Sequence, residues 1–211
     1  KKWFDALERP RLGRTALVDL EPGAALETMR TDQWQMGFSF EHQAAVWVDT
    51  SSAQESAVFG KATNLHKRLV MPQVIPILED GTSKSNHCFR VLPMTGKPAT
   101  QVLKKGKLRG IEVLRLARDA VAIIAGAQAF EVTLRRLMLD DCHVDNTGRL
   151  WPGRLSPAKD GADAQGAWLA AQDWLRMLMK MSRDKVMLQK IRAASEQAND
   201  LSELLLKLML I

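Results

Sequence analysis

Three groups of side chains in this 211-residue chain have the types and spacing that chemistry needs. The first is acidic: Asp140, Asp141 and Asp145 lie inside LDDCHVDNTG. Carboxylates this close can hold a hard divalent cation or accept a proton, although paired acids on a connector also cap turns or face water. The second is Arg135 with Arg136, a pair able to grip a phosphate through bidentate hydrogen bonds or to stand exposed. The third is a duplicated Cys/His pair, His87-Cys88 and Cys142-His143. Four such ligands would suit zinc. Adjacent residues on a strand point to opposite faces, so neither pair easily supplies two ligands, and ordinary strand residues without metal are expected.

Glu55 has two lysines on its own helical stretch, Lys61 and Lys67, at spacings of six and twelve. Neither spacing brings side chains together on a helix. Ser52 and Glu55 do have the spacing of a capping box, which gives Glu55 a structural role.

These residues must be positioned by elements legible in the pattern. A short helix with Trp3, Phe4 and Leu7 on one face leads in and stops near Pro10. Strands are expected over 15–20, 33–40 and 43–49, the last two joined at Glu41 and His42. A helix follows over 52–69, with Val58, Ala62, Leu65 and Leu69 as its apolar face. A strand over 74–78, bent at Pro76, a turn at Glu79-Asp80-Gly81 and a strand over 88–92 come next. Residues 93–96 break the pattern. Beyond them lie a short amphipathic piece over 100–103, a helix apolar on most sides over 110–130, and strands over 142–144 and 149–151 joined by a tight turn. A small, polar loop is expected over 159–166. Helices over 167–181, 185–198 and 201–211 complete the chain. In the first, Trp168, Ala171, Trp174 or Leu175, and Leu178 face inward; Asp200 or Ser202 starts the last. The fold class is therefore α+β, with 1–94 mostly strands plus one helix and 95–211 mainly helical.

Composition narrows the function classes. Hydrophobic residues are 46% and charged residues 26%, ordinary for a soluble globular protein. A net charge of +6 invites nucleic acid or an anionic surface. The basic residues are scattered in sequence, however. Their densest cluster, Lys104, Lys105, Lys107 and Arg109, reads as a solvated loop, so nucleic acid ranks last among partners. Two cysteines make no disulfide framework and fit a reducing compartment. No apolar run approaches the ~20 residues of a membrane span and no signal peptide is present. A cytoplasmic domain, or the soluble part of a larger or membrane-anchored protein, is expected.

The order of elements resembles the bilobal protein kinase fold, with a small antiparallel β lobe carrying one helix and a mainly helical, shortened large lobe. VMPQVIPILEDGTS resembles the entry to the fourth kinase strand, FRVLPMTGKPATQVL the fifth strand and hinge, and HVDNTGRLW the strand pair after the catalytic loop. Ala171-Gln172-Asp173-Trp174 resembles the start of the large-lobe helix whose aspartate pins that loop. The helix over 52–69 resembles the small-lobe helix, and Glu55 sits where that helix carries its glutamate. The resemblance implies a glycine-rich phosphate loop, which is missing. It places Trp47 where the third strand carries its lysine. There the indole would fill a nucleotide cleft or simply pack in the core. Leu134, Arg135 and Arg136 stand at the His-Arg-Asp positions, Asp141 at the metal asparagine, and Gly153-Arg154-Leu155 at the Asp-Phe-Gly.

The resemblance thus implies a pseudokinase-like domain, catalytically inactive, with neither ATP nor magnesium expected as cofactor. It would act as a protein-binding scaffold or regulatory module, its partner meeting the leucine-rich C-terminal helix at Leu204, Leu205, Leu208 and Met209. Two alternatives stand beside it. One is an atypical active ATP-dependent phosphotransferase using Asp140, Asp141 or Asp145 as base or metal ligand, with Lys61 on the phosphates. The other is a basic module for nucleic acid or an anionic surface.

Overall fold

The computed structural model describes residues 11–17, 34–83, 88–103, 107–160 and 163–211. The expected helix before Pro10 lies outside them, as do residues 18–20 of the first strand and the lysines at 104 and 105. The chain is of mixed α+β class and divides into two compact units, Lys1–Lys67 with Ile75–Met94 and Arg68–Val74 with Thr95–Ile211.

The first unit is built on strands β1 (Arg11–Leu12), β2 (Thr15–Leu17), β3 (Gln35–Ser39), β4 (Ala44–Ser51), β5 (Glu79–Thr82) and β6 (Cys88–Pro93). They form one antiparallel sheet in the order β1-β2-β3-β4-β6-β5. Alternation along β4 sends Val46 and Val48 to one face, where they join Leu12, Leu17, Phe89 and Val91 in a buried cluster. Trp47, Asp49 and Ser51 share the opposite face. Gly37 in β3 is needed for close packing, because a Cβ there would lie 2.7 Å from the Thr15 methyl and 3.0 Å from a Val48 methyl.

A 3-10 turn, Ala53–Glu55, leads into helix α1 (Ser56–Arg68). Of its expected apolar face, Leu65 and Leu69 are buried and Ala62 is half-buried, but Val58 is not. Val58 is 73% exposed, while Thr63, Leu65 and His66 are buried. The inward stripe therefore includes two polar side chains that hydrophobic periodicity passes over. Nor does the Ser52 side chain cap the helix; its carbonyl accepts from Glu55 N at 3.1 Å and its hydroxyl meets Glu55 Oε2 at 3.4 Å. The strand expected over 74–78 is instead irregular, and the expected turn at 79–81 is strand β5. Pro76 has no N–H to give a ladder, and pairing begins only where Leu78 N donates to Val91 O at 2.8 Å. β5 is an edge strand, which tolerates the charges that disguised it as a turn.

The second unit is organised on α3 (Gly110–Ala129), with a short helix α2 (Ala99–Val102) before it. Ten α3 residues are buried, among them Val113, Leu114, Ala117, Val121 and Ile124. It packs on α4 (Ala164–Met179), α5 (Lys185–Gln197) and α6 (Leu201–Leu210). Three aspartates cap the last three helices: Asp163 accepts from Gly166 N, Asp184 from Met187 N and Asp200 from Glu203 N. Inward positions of α4 include both Trp174 and Leu175, whereas Trp168 is half-buried.

Strands β9 (Cys142–Val144) and β10 (Leu150–Pro152) form the expected hairpin, and β7 (Lys97–Pro98) pairs on β9. The loop expected over 159–166 is in part strand β11 (Ser156–Asp160), paired antiparallel with β8 (Val132–Arg136). Register shifts on either side of Pro157 erase the two-residue period that would have revealed it. No helix among the described residues is long and apolar enough to cross a membrane.

Candidate functional site

The first unit holds a buried polar cluster on the sheet face opposite its apolar core. Asp49 on β4 and Arg90 on β6 stand directly opposite each other in the ladder. Arg90 Nε donates to Asp49 Oδ2 at 2.9 Å and Nη2 meets the same oxygen at 2.7 Å; the two side chains are 1% and 2% exposed. Two residues of α1 complete the cluster. The Phe59 ring lies 5.0 Å from the Arg90 guanidinium carbon, a cation–π distance. His66 Nε2 lies 2.6 Å from the carbonyl of Ile75. A carbonyl only accepts, so His66 carries its proton on Nε2. Burial, together with the Arg90 charge, lowers the His66 pKa to about 4, against the opposing pull of the Ile75 bond and Asp49. His66 is therefore neutral at physiological pH.

Beside this cluster a cleft of about 140 Å³ opens, with Phe59, Gly60 and Thr63 on one wall and Asp80, Cys88 and Phe89 on the other. Cys88 is half-buried, its sulfur 3.7 Å from the Thr82 hydroxyl. The remaining expected residues of this unit are dispersed. Trp47 is 7% exposed and belongs to the buried interior. Glu55 and Lys61 are exposed, and Lys67 pairs with Asp80 at 2.6 Å.

In the second unit the acidic trio separates into distinct roles. Asp145 organises the β9–β10 turn: Oδ1 accepts from Thr147 N, Thr147 Oγ1 and Arg149 N, and Oδ2 accepts from Trp151 Nε1. Partial burial pushes this carboxyl upward, but the donors outweigh it and hold its pKa below the usual range. Asp141 offers its backbone carbonyl to Gly153 N at 2.7 Å and Arg154 N at 3.0 Å. Asp140 is exposed. Leu134 and Leu155 are buried, and the side chains of Arg135 and Arg136 lie outside the described part. Cys142 is fully buried beside His143, and burial pushes its thiol well above the ordinary value, with Asp141 adding to the effect. His87 is outside the described residues. Among those described, no three His, Cys, Asp or Glu side chains converge on a metal position.

Two polar residues of α3, Arg115 and Asp119, were not singled out from sequence, yet they anchor the hairpin. Arg115 Nη1 donates to the carbonyl of Thr147, and Asp119 accepts from Leu150 N at 2.9 Å. Burial raises the Asp119 pKa against the pull of Leu150 N and Arg149. Their spacing of four, which sets both on one side of α3, was the available signal. Asp49 and Arg90 had no such signal, being 41 positions apart. No protein-family model and no curated protein matches the chain.

Proposed function

We propose that this chain is a catalytically inactive, protein-kinase-like domain that serves as a protein-binding scaffold or regulatory module. The observation that carries the reading is the Asp49–Arg90 pair. On the strand resembling the lysine-bearing strand of kinases, the face met by Phe59 and His66 presents Trp47 and Asp49. The cation there comes from the neighbouring strand and is already committed to a carboxylate. Stripping a buried guanidinium of its partner is costly, so it is a poor phosphate ligand.

Element order supports the same reading. One helix separates β4 from β5, the β9–β10 hairpin follows β8, and β11 returns to pair with β8. Asp145 is used up in its own turn, and Gly153-Arg154-Leu155 brings no acid to the position where a kinase-like chain would hold magnesium.

Thermal unfolding with Mg-ATP, with ATP alone and without nucleotide tests this. A ligand that binds only the folded state raises the midpoint, and no shift is expected. A magnesium-dependent rise, with phosphate transfer abolished by Asp141→Ala, would instead establish an atypical phosphotransferase.

A further inference from the structure

The cations that look scattered in sequence are brought together in the second unit. Leu108 and Ser182 form a parallel bridge, and Leu108 N donates to Met181 O at 3.0 Å. One step along each chain stand Arg109 and Arg183. The contact continues into the start of α3. A Cβ on Gly110 would lie 2.2 Å from Asp184 Oδ2 and 2.5 Å from Met187 Cβ, so only glycine lets α3 approach the start of α5 so closely. This junction collects Lys107, Arg109, Lys180, Arg183 and Lys185, all exposed.

Two nearby carboxylates, Glu112 and Asp184, stand against these five cations. Glu112 is taken by Arg109, through its backbone N–H and its guanidinium. Asp184 is taken by the α5 N-terminus, accepting from Met187 N at 3.1 Å. Lys107, Lys180, Arg183 and Lys185 have no ion pair among the described residues. Cations gathered in excess of their counter-charge repel one another, and an acidic partner relieves that repulsion. Two exposed apolar side chains flank the patch in sequence, Ile111 at 48% and Val186 at 66%.

We propose that this junction is a docking surface for an acidic segment of a partner protein, one that alternates carboxylates with apolar side chains. The proposal rests on the scaffold role and names the chemistry of its partner. A protein segment satisfies both the cations and the flanking Ile111 and Val186. Single-stranded nucleic acid would want aromatic platforms, and the described residues of the junction hold none. A membrane surface would want its large apolar residues along one helix face, whereas Ile111 and Val186 belong to different helices.

The test uses the full chain and a labelled peptide of four Glu-Glu-Leu-Asp repeats, with phosphatidylserine vesicles and an oligouridine as competing probes. Arg183→Glu combined with Lys185→Glu reverses the junction. Both positions are exposed, and acids at a helix N-terminus are favourable, so the variant keeps its fold. Lys190→Glu with Arg192→Glu, farther along α5, makes the same change in net charge elsewhere. Peptide affinity is expected to fall about tenfold or more in the first variant and under about threefold in the second, and to weaken as salt rises from about 50 to about 200 mM. Equal losses in the two variants would overturn the proposal by reducing it to net charge. Absent peptide binding, or tighter binding of vesicles or oligouridine with the same dependence on Arg183 and Lys185, would overturn it too. A nucleotide-dependent thermal shift bears on the inactive-kinase reading alone, so the two can fail separately.

Discussion

Asp49 and Asp145 are both carboxylates fixed by several donors, yet they are fixed in opposite ways. Asp49, in the first unit, is matched by one cation 41 residues away, and both charges are shut off from water. Asp145, in the second, is matched by neutral donors within six residues and keeps contact with solvent. The first arrangement joins two strands and engages a helix, and it is all or nothing. The second stabilises a turn, and its parts can be lost singly. A buried charge therefore ties the small unit to one arrangement, whereas the polar turn contributes a local increment.

The sharpest way to break this contrast is to orphan one buried charge. Arg90→Met should cost about 3–5 kcal/mol in chemical denaturation, because the buried Asp49 carboxylate loses its counter-charge. The double change Asp49→Leu/Arg90→Met should recover most of that loss. If the double variant is as unstable as the single one, packing rather than charge holds the site.

Protonation sharpens it next. The folded-state pKa of His66 lies below its unfolded value of 6.5, near 4. In that window the unfolded chain takes up a proton that the folded chain refuses. Stability is therefore full above about pH 6.5 and declines as pH falls to about 4, by roughly 3 kcal/mol in all. Unfolding measured across that range should show the slope, and His66→Asn should remove it. Asp145 also has a lowered folded pKa, so its contribution is present above the ordinary carboxyl value of 3.8 and is lost only as pH falls further. The two units thus weaken in separate acid windows.

Asp145→Ala should cost about 1–2 kcal/mol at neutral pH, since the turn donors regain water. The smallest effect is expected of Lys67→Ala. The Lys67–Asp80 pair is open to solvent, and such pairs contribute about 0–1 kcal/mol. A larger loss there would mean that β5 depends on α1 more than its edge position implies.

Much of the local architecture was open to reading before any coordinate. The apolar run of α3, the AAVWV run of β4, the β9–β10 turn and the Asp200 cap each depend on neighbours a few residues apart. The candidate residues were less legible. Asp145 was noticed for its charge and proved to be a turn organiser, and of the four residues expected on a docking face Leu204 and Leu208 are fully buried, Leu205 is half-buried and Met209 is exposed, beside Leu206 and Leu210. One helix turn offers three or four directions, and apolar content alone does not say which of them meets the core.

What the chain specifies by itself is its α+β class and the positions of its long elements. These follow from periodicity, turn chemistry and residue identity, all of short range. Tertiary structure alone decided that Thr63 and His66 of α1 turn inward, that β11 pairs with β8, that Asp49 meets Arg90, and that Lys107 and Arg109 gather with Lys180, Arg183 and Lys185. Each of these joins groups far apart in sequence. Their meeting is set by which strands pair and which helix ends abut, and no local propensity encodes it.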